Sequence, residues 1–323
     1  MQALSPSPDR IIPASPHSFP RVISVGRDVP EGRFPVYARF ARYLDILAGD
    51  TIIGITTMLE GEGPSTIVVS AHLPDSWTVL ADSVLITPDM IEFCGVRFSR
   101  DTAAACREQP LLHPLAPPEH KRLTALITAC IDLVCHLAAD TSMAVVFDRS
   151  RKRFFSGGFD TAMLARFMDG ARACLKRDYS SAVRLLAGSG YGLTPSGDDF
   201  LCGSMLALHF LATVHPGSCA PAALALPLQD GLDACGKFSR TFVRHAIANR
   251  WPAVMRNTAE TLCSLARRDS PADPATVEMR IRRILSHGST SGSDLASGFF
   301  MTAAQYLNIV SVESWHKETN NGA

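Results

Sequence analysis

The hydrophobic pattern of the chain changes near Pro110, and this change constrains the fold more than any other feature. Before it, short runs of β-branched and aromatic residues alternate with Gly and Pro, without helical periodicity between them. Closely spaced short strands of this kind are typical of an antiparallel sheet, a sandwich or a small barrel. Strands are predicted at 51–58, 65–71, 77–80, 83–87 and 90–94.

After Pro110 the pattern becomes helical. Pro114, Pro117 and Pro118 indicate a linker, and the next segment repeats apolar residues at the i, i+3, i+4, i+7 spacing of an amphipathic helix. Helices are predicted at 119–139, 160–176, 179–187, 197–214, 229–249, 253–268, 274–286 and 293–307, with a short strand and turn within 142–159.

The predicted fold class is therefore α+β, with an N-terminal antiparallel β-rich domain followed by a C-terminal all-helical bundle. We predict a β-rich domain at 21–115 and a helical domain at 116–312. Residues 1–20, rich in Pro and Ser, are expected to form a disordered leader, and 313–323 a tail.

Charge and composition argue against several classes of partner. Lys plus Arg and Asp plus Glu are equal at 31 each, and no basic run exceeds 151–153, so nucleic acid is not expected as a partner. The nine cysteines include no C-x-x-C pair, which indicates reduced thiols in a cytosolic protein. The longest apolar run, 200–214, is too short to span a membrane. We therefore expect a cytoplasmic protein that binds neither nucleic acid nor membrane.

The segment 188–203 is the most unusual one in the helical half. Alternating glycines allow the backbone to bend sharply and to approach a ligand closely, and Ser196 is predicted to cap the apolar helix that follows. In the simpler interpretation the carboxylates only complement the helix dipole, worth about 0.3–1 kcal/mol each. Two adjacent carboxylates at the start of a buried helix favour a functional site, because buried carboxylates need a partner or a cation. The candidate residues here are Gly190, Gly192, Thr194, Ser196, Gly197, Asp198 and Asp199.

A second segment, 288–298, has the same construction and also begins an apolar helix. The pair predicts two helix N-termini that face one pocket, although two independent capped helices remain an alternative. Backbone N–H groups and hydroxyls suit a phosphate or a small carboxylate, whereas aspartates suit Mg²⁺, an amide or an ammonium group. The substrate-binding candidates here are Thr290, Ser291 and Gly292. Asp198, Asp199 and Asp294 are the catalytic candidates, and they are also the ligands if a metal such as Mg²⁺ binds.

A third candidate, Arg244, lies on a predicted helix that includes 239–246. A guanidinium group suits bidentate contact with a carboxylate or phosphate. The alternative is that this residue belongs to a solvated face.

The string G-x-G-x-G-L-T-P-S-G-D-D-x-L-x-G at 188–203, followed by G-S-T-S-G-S-D at 288–294, resembles the AllH-like family. The segment S-R-T-F-V-R-H-A at 239–246 is similar to a helix of that family. The best-known members are a subunit of oxamate carbamoyltransferase, which acts in anaerobic allantoin use. The resemblance implies an enzyme that converts oxalurate and phosphate to oxamate and carbamoyl phosphate, in complexes with partners that resemble acyl-CoA synthetase subunits.

Three functions remain open at this level. The first is an enzyme subunit in carbamoyl transfer, in which fixed donors stabilise the developing oxyanion. The second is a non-catalytic subunit that binds a small carboxylate or serves as a scaffold in a synthetase-like complex. The third is a metal-dependent hydrolase that uses the three aspartates.

Overall fold

The computed structural model describes residues 20–70, 77–269 and 273–310, so most of the predicted leader and all of the tail lie outside the described residues. The chain divides into two compact units. The β unit comprises the chain up to Pro110 together with Arg250–Arg256, and the helical unit comprises Leu111–Asn249 and the chain from Asn257. A curled sheet followed by helices confirms the predicted α+β class.

A single nine-stranded sheet forms the β unit, in the order β8-β7-β6-β2-β3-β4-β5-β1-β9. Neighbouring strands are antiparallel except for the parallel pairs β4–β5 and β1–β9. An isolated bridge between Arg21 and Ser99 brings the two ends of the sheet together, so the sheet curls around its aliphatic core. The strands are β1 Val22–Val25, β2 Gly32–Arg39, β3 Tyr43–Ala48, β4 Thr51–Thr56, β5 Thr66–Val69, β6 Ser83–Ile86, β7 Met90–Phe93, β8 Val96–Ser99 and β9 Ala104–Ala105.

Four of the five predicted strands correspond to β4, β5, β6 and β7, whereas the strand predicted at 77–80 is wrong. This segment is a short helix, α1 Trp77–Leu80. The helical turn buries Trp77 against Phe93, with ring centroids 5.7 Å apart, and leaves Val79 69% exposed. Four β-branched and aromatic residues are too few for periodicity to distinguish a strand from a helical turn.

Nine helices form the described part of the helical unit, one of which also extends into the β unit. They are α2 Pro117–Leu137, α3 Gly158–Leu175, α4 Tyr179–Leu186, α5 Ser196–Val214, α6 Ala222–Asp230, α7 Ser239–Ile247, α8 Ala253–Arg267, α9 Pro274–Leu285 and α10 Ser291–Tyr306. In the division into units, the first turn of α8 belongs to the β unit.

Three predictions for this half need correction. The helix predicted at 229–249 is interrupted between α6 and α7, where Gly231 ends α6 and a short turn follows. The strand predicted within 142–159 is replaced by two 3₁₀ turns, because the side chains of Ser142 and Asp148 accept hydrogen bonds from the first turn of each. The prolines assigned to a linker include Pro117 and Pro118, which instead begin α2, where a missing N–H costs nothing.

Helix α5 is buried on nearly every side and packs closely against α10. A Cβ on Gly203 would lie 2.0 Å from the carbonyl oxygen of Leu295, and one on Gly298 would lie 1.9 Å from that of Phe200. Each helix therefore supplies a glycine against which the backbone of the other rests. This contact holds the N-terminal halves of α5 and α10 close together. In the described ranges, no helix is long and apolar enough to cross a membrane.

Candidate functional site

The two predicted segments meet in the helical unit. The hydroxyl oxygens of Thr194, just before α5, and Ser291, the first residue of α10, lie 2.6 Å apart and share a hydrogen bond. Asp199 and Asp294 are buried in the first turns of these helices, with exposures of 8% and 0%. The structure thus joins the two helix starts, as the paired arrangement requires.

Both oxygens of the Asp198 carboxylate accept hydrogen bonds from the protein backbone. One oxygen accepts a hydrogen bond of 2.7 Å from the N–H of Gly188, and the other accepts one of 2.8 Å from the N–H of Gly236. Burial raises the pKa of Asp198, and both N–H groups oppose this rise because they stabilise the ionised form. The contacts hold the glycine loop and the 235–236 turn against α5, which is a structural task.

Asp294 is only half satisfied. Its Oδ1 accepts a hydrogen bond of 2.5 Å from the N–H of Met143, whereas its Oδ2 is buried without a hydrogen bond. Burial raises the pKa of Asp294 to about 7, opposed by the Met143 N–H and by the hydroxyls of Ser196 and Thr290. Ser196 was predicted to cap α5, but that prediction is wrong. The helix begins at Ser196 itself without a side-chain cap, and this hydroxyl acts on the carboxyl of the other helix.

Asp199 has the least compensated surroundings of the three aspartates. Its Oδ2 is also buried without a hydrogen bond. Burial raises the pKa of Asp199 well above its usual range, and the charges of Asp294 and Asp198 raise it further. The hydroxyls of Ser291 and Thr194 oppose the rise. The arrangement is reciprocal, because the first serine of each helix stabilises the carboxylate of the other.

The glycine residues of the two segments differ in their structural roles. Gly190 has a φ of 132°, and a Cβ there would lie 2.4 Å from the nitrogen of Ser196, so no other residue fits this turn. Gly192 is exposed with open space around it. The N–H groups of Gly197 and Gly292, which were candidates for substrate binding, instead donate to the carbonyls of Ser189 and His287, at 2.8 and 2.9 Å.

Arg244 is exposed on α7, and no hydrogen bond joins it to the described residues of either helix start. The structure therefore does not bring this candidate into contact with the others. Sequence reasoning missed the N–H groups of Met143 and Gly236. Neither lies in a motif, and only the tertiary fold brings them to the aspartates.

Within the described ranges, no group of three or more His, Cys, Asp or Glu side chains is placed to hold a metal ion. Both oxygens of Asp198 already accept backbone hydrogen bonds. What the site offers is a set of hydroxyls, two helix N-termini and two buried carboxyls that each have a free oxygen. Such a set can accept N–H groups and exchange a proton.

A family model described as oxamate carbamoyltransferase subunit AllH matches residues 186–303. The match runs from the end of α4 into α10 and covers about a third of the chain. The chain matches no curated protein and no solved structure. The match confirms the resemblance carried by the two glycine- and hydroxyl-rich segments. The part of the chain that forms the site, residues 186–303, is thus similar to the family of oxamate carbamoyltransferase subunit AllH.

Proposed function

We propose that this chain is a subunit of an oxamate carbamoyltransferase-like enzyme, which transfers a carbamoyl group between an oxalurate-type substrate and phosphate. The observation that carries the proposal is the hydrogen bond that joins the two helix starts beside Asp199 and Asp294. Both helix starts lie inside the segment that matches the AllH family. A role in allantoin and purine catabolism and a cytoplasmic location are parts of the same proposal.

The anionic parts of the substrates have a suitable environment at this site. The N-terminal ends of α5 and α10 carry partial positive charge, which favours phosphate and carboxylate groups. The hydroxyls of Thr194, Thr290 and Ser291 are half-buried beside them and can donate hydrogen bonds. Because the N–H groups of Gly197 and Gly292 are already used, the hydroxyls are the principal donors in this proposal. Gly190 and Gly192 would let the loop before α5 approach the bound group.

The carbamoyl group needs partners of the opposite kind. Its nitrogen carries N–H donors, and the free oxygens of Asp199 and Asp294 are acceptors without a hydrogen bond. An unsatisfied buried oxygen costs about 1–3 kcal/mol, so a substrate N–H that reached this pair would recover part of that cost. The contact would also orient the carbamoyl carbon for attack.

The partners in this proposal are further subunits. The AllH description is that of a subunit, which at family level implies a multi-subunit complex. We propose synthetase-like subunits as the partners of this chain, in accordance with the motif resemblance.

The experiment is a reconstitution of the chain with its partner subunits, followed by measurement of carbamoyl phosphate formed from oxalurate and phosphate. We expect a phosphate-dependent product with the wild type and a loss of at least about 100-fold in Asp294→Ala. Asp273→Asn is the matched control, because Asp273 also lies at a helix start but is exposed.

Three results would contradict the proposal. No carbamoyl phosphate from the wild-type complex would remove the activity. Cleavage of oxalurate without phosphate would indicate a hydrolase. Full activity of Asp294→Ala, together with oxamate binding by the isolated chain, would indicate a binding subunit whose partners carry the chemistry.

A further inference from the structure

The three aspartates at the two helix starts are not equivalent. Both oxygens of Asp198 accept backbone hydrogen bonds, and one oxygen of Asp294 does. Only 8% of Asp199 is exposed, and its Oδ2 is buried without a hydrogen bond. The hydroxyls of Thr194 and Ser291 lie close enough to Asp199 to stabilise its charge. Of the three, Asp199 is therefore the carboxyl whose protonated form is least opposed by the protein.

We propose that Asp199 is the proton donor to the leaving nitrogen in the carbamoyl transfer, and that Asp294 is a positioning residue that acts through Asp199. This inference rests on the proposed function and adds a catalytic role within it. It uses a ureido carboxylate and hydrogen phosphate as the two co-reactants.

The proposed step balances in atoms and charge. A phosphate oxygen attacks the carbamoyl carbon, a C–O bond forms, and the bond from that carbon to the oxamate nitrogen breaks. The nitrogen takes the proton of the Asp199 carboxyl and leaves as the neutral amide. The proton that hydrogen phosphate loses restores the carboxyl, directly or through solvent. In the reverse direction the Asp199 carboxylate removes a proton from the attacking amide nitrogen.

The electrostatics around Asp199 favour its protonated form. Burial raises the pKa of Asp199, and the neighbouring charges of Asp294 and Asp198 act in the same direction. A further titratable group near Asp199 is the buried thiol of Cys202, whose pKa is raised by burial and by the two aspartates of α5. A carboxylic acid that stays neutral at working pH is the usual form of a general acid.

Asp294 is less suited to the donor role. The N–H of Met143 bonds to its Oδ1, and this contact favours the ionised form. An ionised Asp294 raises the pKa of Asp199 through its charge. Replacing Asp294 with Asn should therefore shift the pH dependence of the reaction. Replacing Asp199 with Asn should instead remove the proton that the leaving nitrogen takes.

The test compares two carbamoyl donors in the reconstituted complex. Oxalurate has an amide leaving group, which needs a proton, whereas an aryl carbamate such as p-nitrophenyl carbamate has a leaving group that departs as an anion. The amide oxygen of Asn can still accept a substrate N–H, so Asp199→Asn removes the acidic proton and keeps an acceptor. For this variant we expect a fall in kcat of about 10²–10⁴-fold with oxalurate and a fall at least about tenfold smaller with the aryl carbamate. For Asp294→Asn we expect the limb of the pH–rate profile that reports Asp199 to move to lower pH, because a negative neighbour is removed.

Asn has the size of Asp, so the variant is expected to fold, and circular dichroism of the helices checks this. Equal losses with both donors would show that Asp199 only positions the substrate and would overturn the inference. Retained activity with oxalurate would do the same while leaving the proposed function in place. A wild-type complex that forms no carbamoyl phosphate would overturn the proposed function and this role together.

Discussion

Thr194 and Ser291 share a hydrogen bond of 2.6 Å between their hydroxyl oxygens, although 97 residues separate them in the chain. The bond ties the loop before α5 to the first turn of α10, directly beside two buried carboxyls. Two segments with a similar sequence thereby form one site. The strength of the hydrogen bond between the two hydroxyls reports how firmly the segments are held together.

The hydroxyl bond should appear as a coupling free energy. In a double-mutant cycle of Thr194→Val and Ser291→Ala, we expect the two losses of unfolding free energy to be non-additive by about 0.5–1.5 kcal/mol. In a control cycle that pairs Thr194→Val with Ser289→Ala, at an exposed neighbour of the site, the two losses should be additive. Chemical unfolding provides the measurement, and additive losses in the first pair would show that the bond contributes nothing.

Asp198 should matter more for stability than its neighbours, because it satisfies two backbone N–H groups at once. We expect Asp198→Ala to lower the free energy of unfolding by about 2–4 kcal/mol, since both N–H groups lose a charged acceptor. The matched control is Asp233→Ala. Asp233 is 99% exposed in its ion pair with Arg240, and a change of less than about 0.5 kcal/mol is expected there. A loss at Asp198 no larger than that of the control would exclude the structural task.

Much of this site could be predicted from local sequence. The glycine turns, the hydroxyls and the start of a buried helix all lie within a few residues of one another, so short-range physics indicates that 188–203 and 288–298 are special. Their meeting could be predicted only as a hypothesis based on their similarity. Ser196 is one residue that departs from the expectation, because a local rule assigns a cap where tertiary packing directs the hydroxyl to Asp294.

The parts that sequence could not supply depend on distant backbone groups. The N–H groups of Met143 and Gly236 carry no side-chain signal, yet they decide which aspartate is free and which is held. The wrong prediction at α1 also has a tertiary cause, because burial of Trp77 rather than local propensity determines the conformation of this segment.

The close contact between α5 and α10 gives a prediction on the packing itself. A Cβ on Gly298 would lie 1.9 Å from the carbonyl oxygen of Phe200, which is backbone and cannot move aside cheaply. We expect Gly298→Ala to destabilise the protein by about 1–3 kcal/mol or more and to lower activity by separating the helix starts. Gly158→Ala, at the first residue of α3 with open space around it, should be neutral or stabilising by up to about 1 kcal/mol. Thermal unfolding of both variants decides the matter, and equal midpoints would contradict the tight packing.

The raised pKa values of the carboxyl pair give the stability of the protein a definite pH dependence. In the unfolded chain Asp294 titrates near its ordinary value, whereas burial raises its folded-state pKa to about 7. Between these values the folded state binds more protons than the unfolded state, so the free energy of unfolding falls as pH rises, by at most about 1.4 kcal/mol per pH unit for each such group. Burial also raises the pKa of Asp199, so this group contributes a fall of the same sign.

Asp294→Asn should remove the contribution of Asp294 while its amide oxygen still accepts the N–H of Met143. The wild type is then expected to lose stability relative to the variant as pH rises from about 4 to about 7. Asp45 in the β unit also has a pKa raised by burial to about 7, but both proteins contain it, so it cancels in the difference. Urea unfolding followed by helical circular dichroism across this range provides the measurement. Parallel stability curves for the two proteins would mean that Asp294 titrates normally in the folded state and would contradict the effect of burial on this carboxyl.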